Sequence, residues 1–335
     1  HCRLGRWPQL RRQRTAVATD AAIFLPRPLL RHGQGWRPRD GLERLLDESA
    51  IRSLNESGIL VCEGLLDAEE VRTAREDGER LLALGELTSA GQEHIGRTDS
   101  YIAGTEKEFE SYGCHGAAHA VRRLAAVVQL LDRRTTRGGP GIRCVRPGEP
   151  TSAEREAVPL ETQGERAMLA TYEGDGAHYV KHRDSKLSLG SREQDLERFR
   201  HQPHTNNFRH LTCVLYLNDE PWVPSAGGAL RCHLCAPRWA GDVPDEQGDM
   251  FGACPPDCPG RSGTCHLDVL PKGGRLVIFF SQEVLHEVLP CWAKRWALTL
   301  WVPDARFPKK SKENEVKWQM EMDALFVKQL LDQNR

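Results

Sequence analysis

The sequence predicts a mainly β protein, a sandwich or small barrel with supporting helices ahead of it and one helix after it, and three observations lead there. Between Ala167 and Pro303, short runs rich in β-branched and aromatic residues are separated by turn residues, the pattern of a sandwich or barrel and not of a parallel βαβ sheet. Ahead of that stretch, apolar residues recur at helical spacing instead. The chain's 335 residues, 39% of them hydrophobic and 28% charged, suffice for one sizeable core or two modest ones.

Residues 1–39 hold nine Arg and one acid, Asp20, so 1–41 reads as a basic, disordered extension in preference to the remnant of a targeting segment. Residues 42–165 read as a helical support region with one strand. Leu45, Leu46, Ile51 and Leu54 recur at helical spacing, Glu56-Ser57-Gly58 breaks the helix, and Ile59-Leu60-Val61-Cys62 follows as a strand. Asp67-Ala68-Glu69-Glu70 has the form of an N-cap with acids in the first turn, opening a helix that runs to about Leu84. Residues 115–133 give another helix, with Ala118, Val121, Leu124, Val127, Val128 and Leu131 on one face, and the Gly, Pro, Arg and Glu of 134–165 read as a loop insertion.

Residues 166–303 carry the strand runs Met168 to Tyr172, Tyr179 to His182, Leu211 to Leu217, Ala229 to Cys232, Arg275 to Phe280, Val284 to Val288 and Trp296 to Val302. Residues 304–335 end in an amphipathic helix marked by Val316, Met320, Leu325, Phe326, Leu330 and Leu331, which is expected to pack on its own domain.

Forty-six Lys and Arg against 47 Asp and Glu leave a net charge of −1, so there is no global field for nucleic acid or an anionic membrane. No purely apolar run exceeds five residues, Leu276 to Phe280 among them, far short of the roughly 20 residues of a membrane-spanning helix. The expected partners therefore include neither nucleic acid nor membrane, and oligomeric state is left open. Eleven cysteines, an odd number, and no secretory signal point to a reducing compartment, cytoplasmic or nuclear.

Chemistry enters with His182-Arg183-Asp184 and, 102 residues beyond Asp184, His286 at the end of an apolar strand. Two imidazoles and a carboxylate are the ligand set that binds Fe(II) on one face and leaves the remaining positions open. The tripeptide alone proves little, since the chain holds a second copy, His266-Leu267-Asp268. The wide gap to His286 lets several strands intervene, so that ligands from distant segments can converge, while His266 to His286 leaves little room. Nine residues past His286, Arg295 opens the last strand with a guanidinium suited to a carboxylate. Lys294 stands beside it, and strand alternation lets only one of the two point inward.

Five cysteines crowd into an insertion spanning roughly residues 233–267 and its edge. Cys232, Cys235, Cys254 and Cys258, with Cys265-His266 close by, suit a structural zinc site, although disulfides or free thiols fit the same spacing.

Several further pieces occur in order over about residues 45–303: Ser57-Gly58-Ile59 through Asp67, Arg97-Thr-Asp-Ser-Tyr-Ile102, Tyr172 through Asp184, Arg209 through Asn218, Gly227-Gly-Ala-Leu-Arg231, Leu276 through Pro290, and Arg295-Trp-Ala-Leu-Thr-Leu-Trp301. With them the chain resembles the Fe(II)/2-oxoglutarate-dependent dioxygenases of the prolyl 4-hydroxylase superfamily, most of all the hypoxia-inducible-factor prolyl hydroxylases. The resemblance implies a double-stranded β-helix, two facing sheets open at one end. It implies that His182, Asp184 and His286 bind iron and that Arg295 pairs with the distal carboxylate of 2-oxoglutarate. Tyr216 resembles the tyrosine that shares that carboxylate, and Tyr172 and Thr299 match pocket-lining positions.

The same resemblance implies Fe(II), 2-oxoglutarate and O2 as reactants, L-ascorbate as a cofactor, and hydroxylation of a proline in a protein or peptide with release of succinate and CO2. Ser185 to Phe208 is longer than the substrate-covering loop of the hypoxia-factor enzymes, and the Cys-rich insertion departs from the family. Two rivals remain: the same scaffold acting on another residue or a small molecule, and a non-catalytic, zinc-stapled binding module, against which the intact triad and Arg295 speak.

Overall fold

The structure, a computed structural model, describes residues 30–31, 40–91, 96–136, 142, 158–162, 166–185, 209–219, 221–233 and 266–305. The expected C-terminal helix, most of the basic extension and nearly all of the Cys-rich insertion lie outside the described residues.

A short strand β1 (Leu30–Arg31) precedes two helices, α1 (Asp40–Leu45) and α2 (Glu48–Ser57). The one continuous helix expected here is divided because the Asp47 carboxylate accepts the Ala50 N–H at 2.8 Å, and an N-cap ends one helix as it starts another. Gly58, at φ 80°, closes α2 in the left-handed conformation that glycine adopts without strain, and β2 (Ile59–Cys62) follows. The expected cap at Asp67 is a reciprocal capping box: Asp67 accepts the Glu70 N–H at 2.9 Å while Glu70 accepts the Asp67 N–H at 2.8 Å. It opens α3 (Ala68–Ala83), which is followed by β3 (Thr88–Ser89), β4 (Ser100–Gly104), α4 (Glu106–Ser111) and α5 (His115–Thr136). The first turn of α5 is capped from α3, since the N–H groups of Gly116 and Ala117 donate to Asp77 Oδ2 at 2.7 and 3.0 Å.

The β-rich half comprises β5 (Ala167–Tyr172), β6 (Ala177–His182), β7 (Arg209–Tyr216), β8 (Leu230–His233), β9 (His266–Val269), β10 (Leu276–Phe280), β11 (Leu285–Cys291) and β12 (Arg295–Pro303). They form two sheets, one ordered β1-β2-β10-β7-β12-β5-β4-β3 and one ordered β6-β11-β8-β9, in the double-stranded β-helix arrangement. All seven expected strands are present within two or three residues at their ends. The short β1, β3, β4 and β9 are additions: β1, within the extension expected to be disordered, pairs with β2, and β9 shows that the insertion ends by His266.

The larger sheet is covered on both faces, which is why its strands read as continuous apolar runs. Successive side chains of a strand point to opposite faces. In β10, Leu276, Ile278 and Phe280 join the core beneath the helices, while Val277 and Phe279 join the core between the sheets. In β12, Trp296, Leu298, Leu300 and Val302 face the helices and Ala297 faces the second sheet. The helix-side core leaves the opposite face of β7 and β12 free to carry polar groups into the space between the sheets.

Candidate metal centre and its cavity

That space is a cavity of about 150 Å³ between the two sheets, and His182, Asp184, His286, Arg295, Tyr172 and Thr299 meet along it. His182 ends β6, Asp184 sits in the turn just beyond, and His286 is the second residue of β11. Antiparallel pairing sets His286 opposite His182, so two residues far apart in the chain become ladder neighbours. The ligand atoms of the three residues all lie within 4.8 Å of one another. His182 Nε2 is 3.6 Å from Asp184 Oδ1, and His286 Nε2 is 3.7 Å from Asp184 Oδ2.

The imidazoles are oriented from behind. His182 Nδ1 lies 2.8 Å from the Val180 carbonyl oxygen and His286 Nδ1 lies 3.0 Å from that of Val284. A carbonyl oxygen only accepts, so each Nδ1 carries the proton and each Nε2 presents its lone pair toward Asp184. Burial pushes the His286 imidazole down to about 4, so it is neutral at physiological pH. Burial opposes ionisation of Asp184, but the neighbouring imidazoles and the Thr212 hydroxyl outweigh it and hold the carboxyl below its ordinary range. Two imidazole nitrogens and one ionised carboxylate on a single face fit a divalent iron and leave its other positions open.

Along the cavity from the triad, Arg295 is only 2% exposed. Its Nε donates to the Gly228 carbonyl at 2.9 Å, and its guanidinium carbon lies 5.0 Å from the ring centroids of both Tyr172 and Tyr216. Among the described residues no carboxylate pairs with it. A buried cation without an anionic partner is costly unless a ligand supplies one. Lys294, by contrast, turns outward to Glu79 and Glu173, which settles the alternation in favour of Arg295. Thr299 and Tyr172 line the cavity as expected. Tyr216 departs from the expectation: its ring packs against Arg295, but it is fully buried off the cavity wall and its hydroxyl has no hydrogen-bond partner among the described residues.

The second His-x-Asp is a different object. His266 and Asp268 lie on β9, where Arg231 grips Asp268 through two hydrogen bonds of 2.7 Å. Of the four cysteines expected to hold zinc, Cys232 is fully buried in β8 opposite His286, and burial pushes its thiol up. Cys235, Cys254 and Cys258 lie outside the described residues.

Several residues that the motifs did not single out also shape the site. Tyr179 stacks on His182, with ring centroids 3.7 Å apart and planes at 21°. Arg97 lies 5.1 Å from the Tyr179 and Tyr101 ring centroids and is anchored by Asp99 at 2.7 and 3.0 Å. The Arg209 guanidinium carbon lies 3.9 Å from the Trp301 ring centroid. Trp301 shared a face with Arg295 and Thr299 by strand alternation, a signal available in the sequence.

Comparison with known proteins agrees with this site. Residues 167–303 match the family model described as the 2OG-Fe(II) oxygenase superfamily. A hypoxia-inducible factor prolyl hydroxylase of Caenorhabditis elegans is 25% identical over 267 residues, covering 78% of this chain and 28% of that protein. Prolyl hydroxylase EGLN3 of Mus musculus is 29% identical over 149 residues, 44% of each chain. The chain thus spans less than half the length of either relative. Among solved structures, a prolyl hydroxylase from Trichoplax adhaerens in complex with a hypoxia-inducible factor oxygen degradation domain peptide fragment is 20% identical, with TM-score 0.51, covering 79% of this chain and 91% of that one. This last likeness concerns the fold.

Proposed function

We propose, from the premise that residues 167–303 belong to the 2OG-Fe(II) oxygenase superfamily, that this chain is an Fe(II)- and 2-oxoglutarate-dependent dioxygenase hydroxylating a prolyl residue of a protein or peptide. The observation that carries the reading is the pairing, in one cavity, of a two-His, one-carboxylate cluster with a buried arginine that lacks an anionic partner among the described residues. Either alone is ordinary. Together they provide for a metal and for a dicarboxylate able to reach from that metal to a fixed cation.

His182 and His286 would hold iron through Nε2 and Asp184 through its carboxylate. Bound there, iron with 2-oxoglutarate and O2 supplies the oxidation that places oxygen on a C–H bond as succinate and CO2 form. Arg295 would take the distal carboxylate, with Tyr172 and Thr299 flanking it and Tyr216 supporting the guanidinium from behind. Tyr179 and Phe279 pack on the imidazoles and hold them in place as the cosubstrate enters. The peptide substrate rests on the prolyl hydroxylase relatives and on the Trichoplax enzyme that carries a peptide fragment. Ascorbate as the reductant that keeps iron ferrous, and zinc on the cysteines of the insertion, belong to the same proposal.

Mass spectrometry of a panel of proline-containing peptides, incubated with the whole chain, Fe(II), 2-oxoglutarate and ascorbate, tests the substrate class. The expected product carries one added oxygen atom on proline. An added oxygen found only on other residues would place the substrate elsewhere.

A further inference from the structure

Thr212 lies within β7, 1% exposed, where its neighbours Leu211 and Cys213 pack toward the helices and its own side chain points between the sheets. Its hydroxyl is 2.7 Å from Asp184 Oδ2 and 2.8 Å from the Ser281 hydroxyl. An ionised carboxylate only accepts hydrogen bonds, so the single Thr212 proton goes to Oδ2 and Ser281 must donate to Thr212. Hydrogen bonds aligned in this way reinforce one another, more so away from water.

Ser281 is itself fixed. It is fully buried, its N–H donates to the His210 carbonyl at 3.0 Å, and its carbonyl accepts the Ser185 N–H at 3.1 Å. Ser281 therefore holds the turn carrying Asp184 through the backbone, and holds the Asp184 carboxylate through Thr212. One tether comes from β7 and the other from the turn after β10, and together they define both the position and the plane of the carboxylate.

We propose that Thr212, backed by Ser281, is a positioning residue that pins Asp184 Oδ2 so that the carboxylate meets the metal through its other oxygen alone. The inference rests on reading the triad as an iron site. Its consequence is a matter of coordination number. A metal with octahedral preference and three protein donor atoms keeps three positions, and a carboxylate binding through both oxygens would leave two. A chelating 2-oxo acid and O2 together need three. A hydroxyl proton on Oδ2 makes that oxygen the poorer ligand and resists the rotation that would bring it onto the metal.

The experiment uses the whole chain loaded with Co(II), whose visible absorption reports its coordination, and then titrated with 2-oxoglutarate without O2. The variants are Thr212→Val, which keeps the shape and removes the donor, Thr212→Ser, which keeps the donor, and Ser281→Ala. Thr212→Val is expected to change the Co(II) spectrum before 2-oxoglutarate is added and to weaken 2-oxoglutarate binding on the order of tenfold. Thr212→Ser should retain the wild-type spectrum and affinity, and Ser281→Ala should shift both in the direction of Thr212→Val by less.

A Thr212→Val spectrum and 2-oxoglutarate affinity equal to wild type would overturn the inference, as would a Thr212→Ser chain behaving like Thr212→Val. Should Thr212→Val not fold, Ser281→Ala reads the same row of bonds from its other end without added volume, and an unchanged spectrum there overturns the inference equally. A wild-type chain that takes up no Co(II) overturns the metal reading itself. A wild type that takes it up beside an indistinguishable Thr212→Val overturns the role of Thr212 alone.

Discussion

His182 and His286 are register partners across the β6–β11 ladder, with ring centroids 4.3 Å apart, and each ring is fixed by a carbonyl two residues upstream. The metal centre is thus a property of strand pairing as much as of the three side chains. Removing an outer partner of a ligand commonly costs a metal site about 10- to 100-fold in affinity, so removing a ligand should cost at least that. His286→Ala is expected to lower Fe(II) affinity by about 100-fold or more, measured by titration under anaerobic conditions, with the near-UV circular dichroism of the fold retained. Wild-type affinity in His286→Ala would remove it from the ligand set.

Arg295 separates the cosubstrate from the metal. Its truncation removes a charge-assisted contact worth about 1.5–3 kcal/mol, which corresponds to roughly 10- to 100-fold in binding. Arg295→Ala should raise the 2-oxoglutarate concentration needed for half-maximal succinate formation by that factor, with little change in the Fe(II) requirement. Equal rises in both would mark Arg295 as a structural residue, as its contacts with Tyr172 and Tyr216 would then suggest.

A pH dependence follows from His286 in the chelated, metal-free chain. Burial holds it near 4 in the folded state against 6.5 when exposed. Between those values the unfolded chain binds a proton that the folded chain refuses, so this contribution to stability is complete above about 6.5 and is lost as pH falls toward about 4. The loss amounts to about 3 kcal/mol across the window. Urea unfolding from pH 7 to pH 4 should show a shallower decline for His286→Gln than for wild type, and parallel declines would contradict the assignment.

The α3–α5 contact offers a test of the support region. A Cβ on Gly116 would stand 2.5 Å from the Thr73 carbonyl carbon and 2.6 Å from the Ala74 nitrogen, backbone atoms that no rotamer change can move. Alanine gains about 1 kcal/mol over glycine in a helix, yet overpacking of this kind costs about 1–3 kcal/mol. With backbone on the far side, the clash wins, and Gly116→Ala should lower the urea midpoint. A raised midpoint would mean that the two helices separate without cost.

Much of this was readable before folding, for identifiable reasons. Asp67 and Glu70 signal their capping box locally, while alternation says only that one of Lys294 and Arg295 points inward, and the offset from His286 favours Arg295. The triad needed more, because His266-Leu267-Asp268 has the same form as His182-Arg183-Asp184, and the two are told apart by context: the Tyr172 to Tyr179 segment ahead of His182, the Cys-rich insertion around His266, and the wide gap to His286. Thr212 was hidden for the opposite reason: inside Leu211 to Leu217 it looks like any strand residue, and its partner Asp184 reaches it only when β7 lies beside the turn after β6. α4 escaped notice because its six residues bury one side chain, Phe109, and leave no periodic face to read. The short β4 and β9 gain their strand character from the ladders of β5 and β8, not from an apolar run of their own.

The central claim is that His182, Asp184 and His286 hold iron beside a 2-oxoglutarate site closed by Arg295. It is tested most directly by succinate formation from 2-oxoglutarate, measured with Fe(II) and a proline-peptide panel for wild type and His182→Ala side by side. The account predicts iron-dependent succinate from the wild type and none above background from His182→Ala. No succinate from metal-loaded wild type, or equal succinate from both chains, would contradict it.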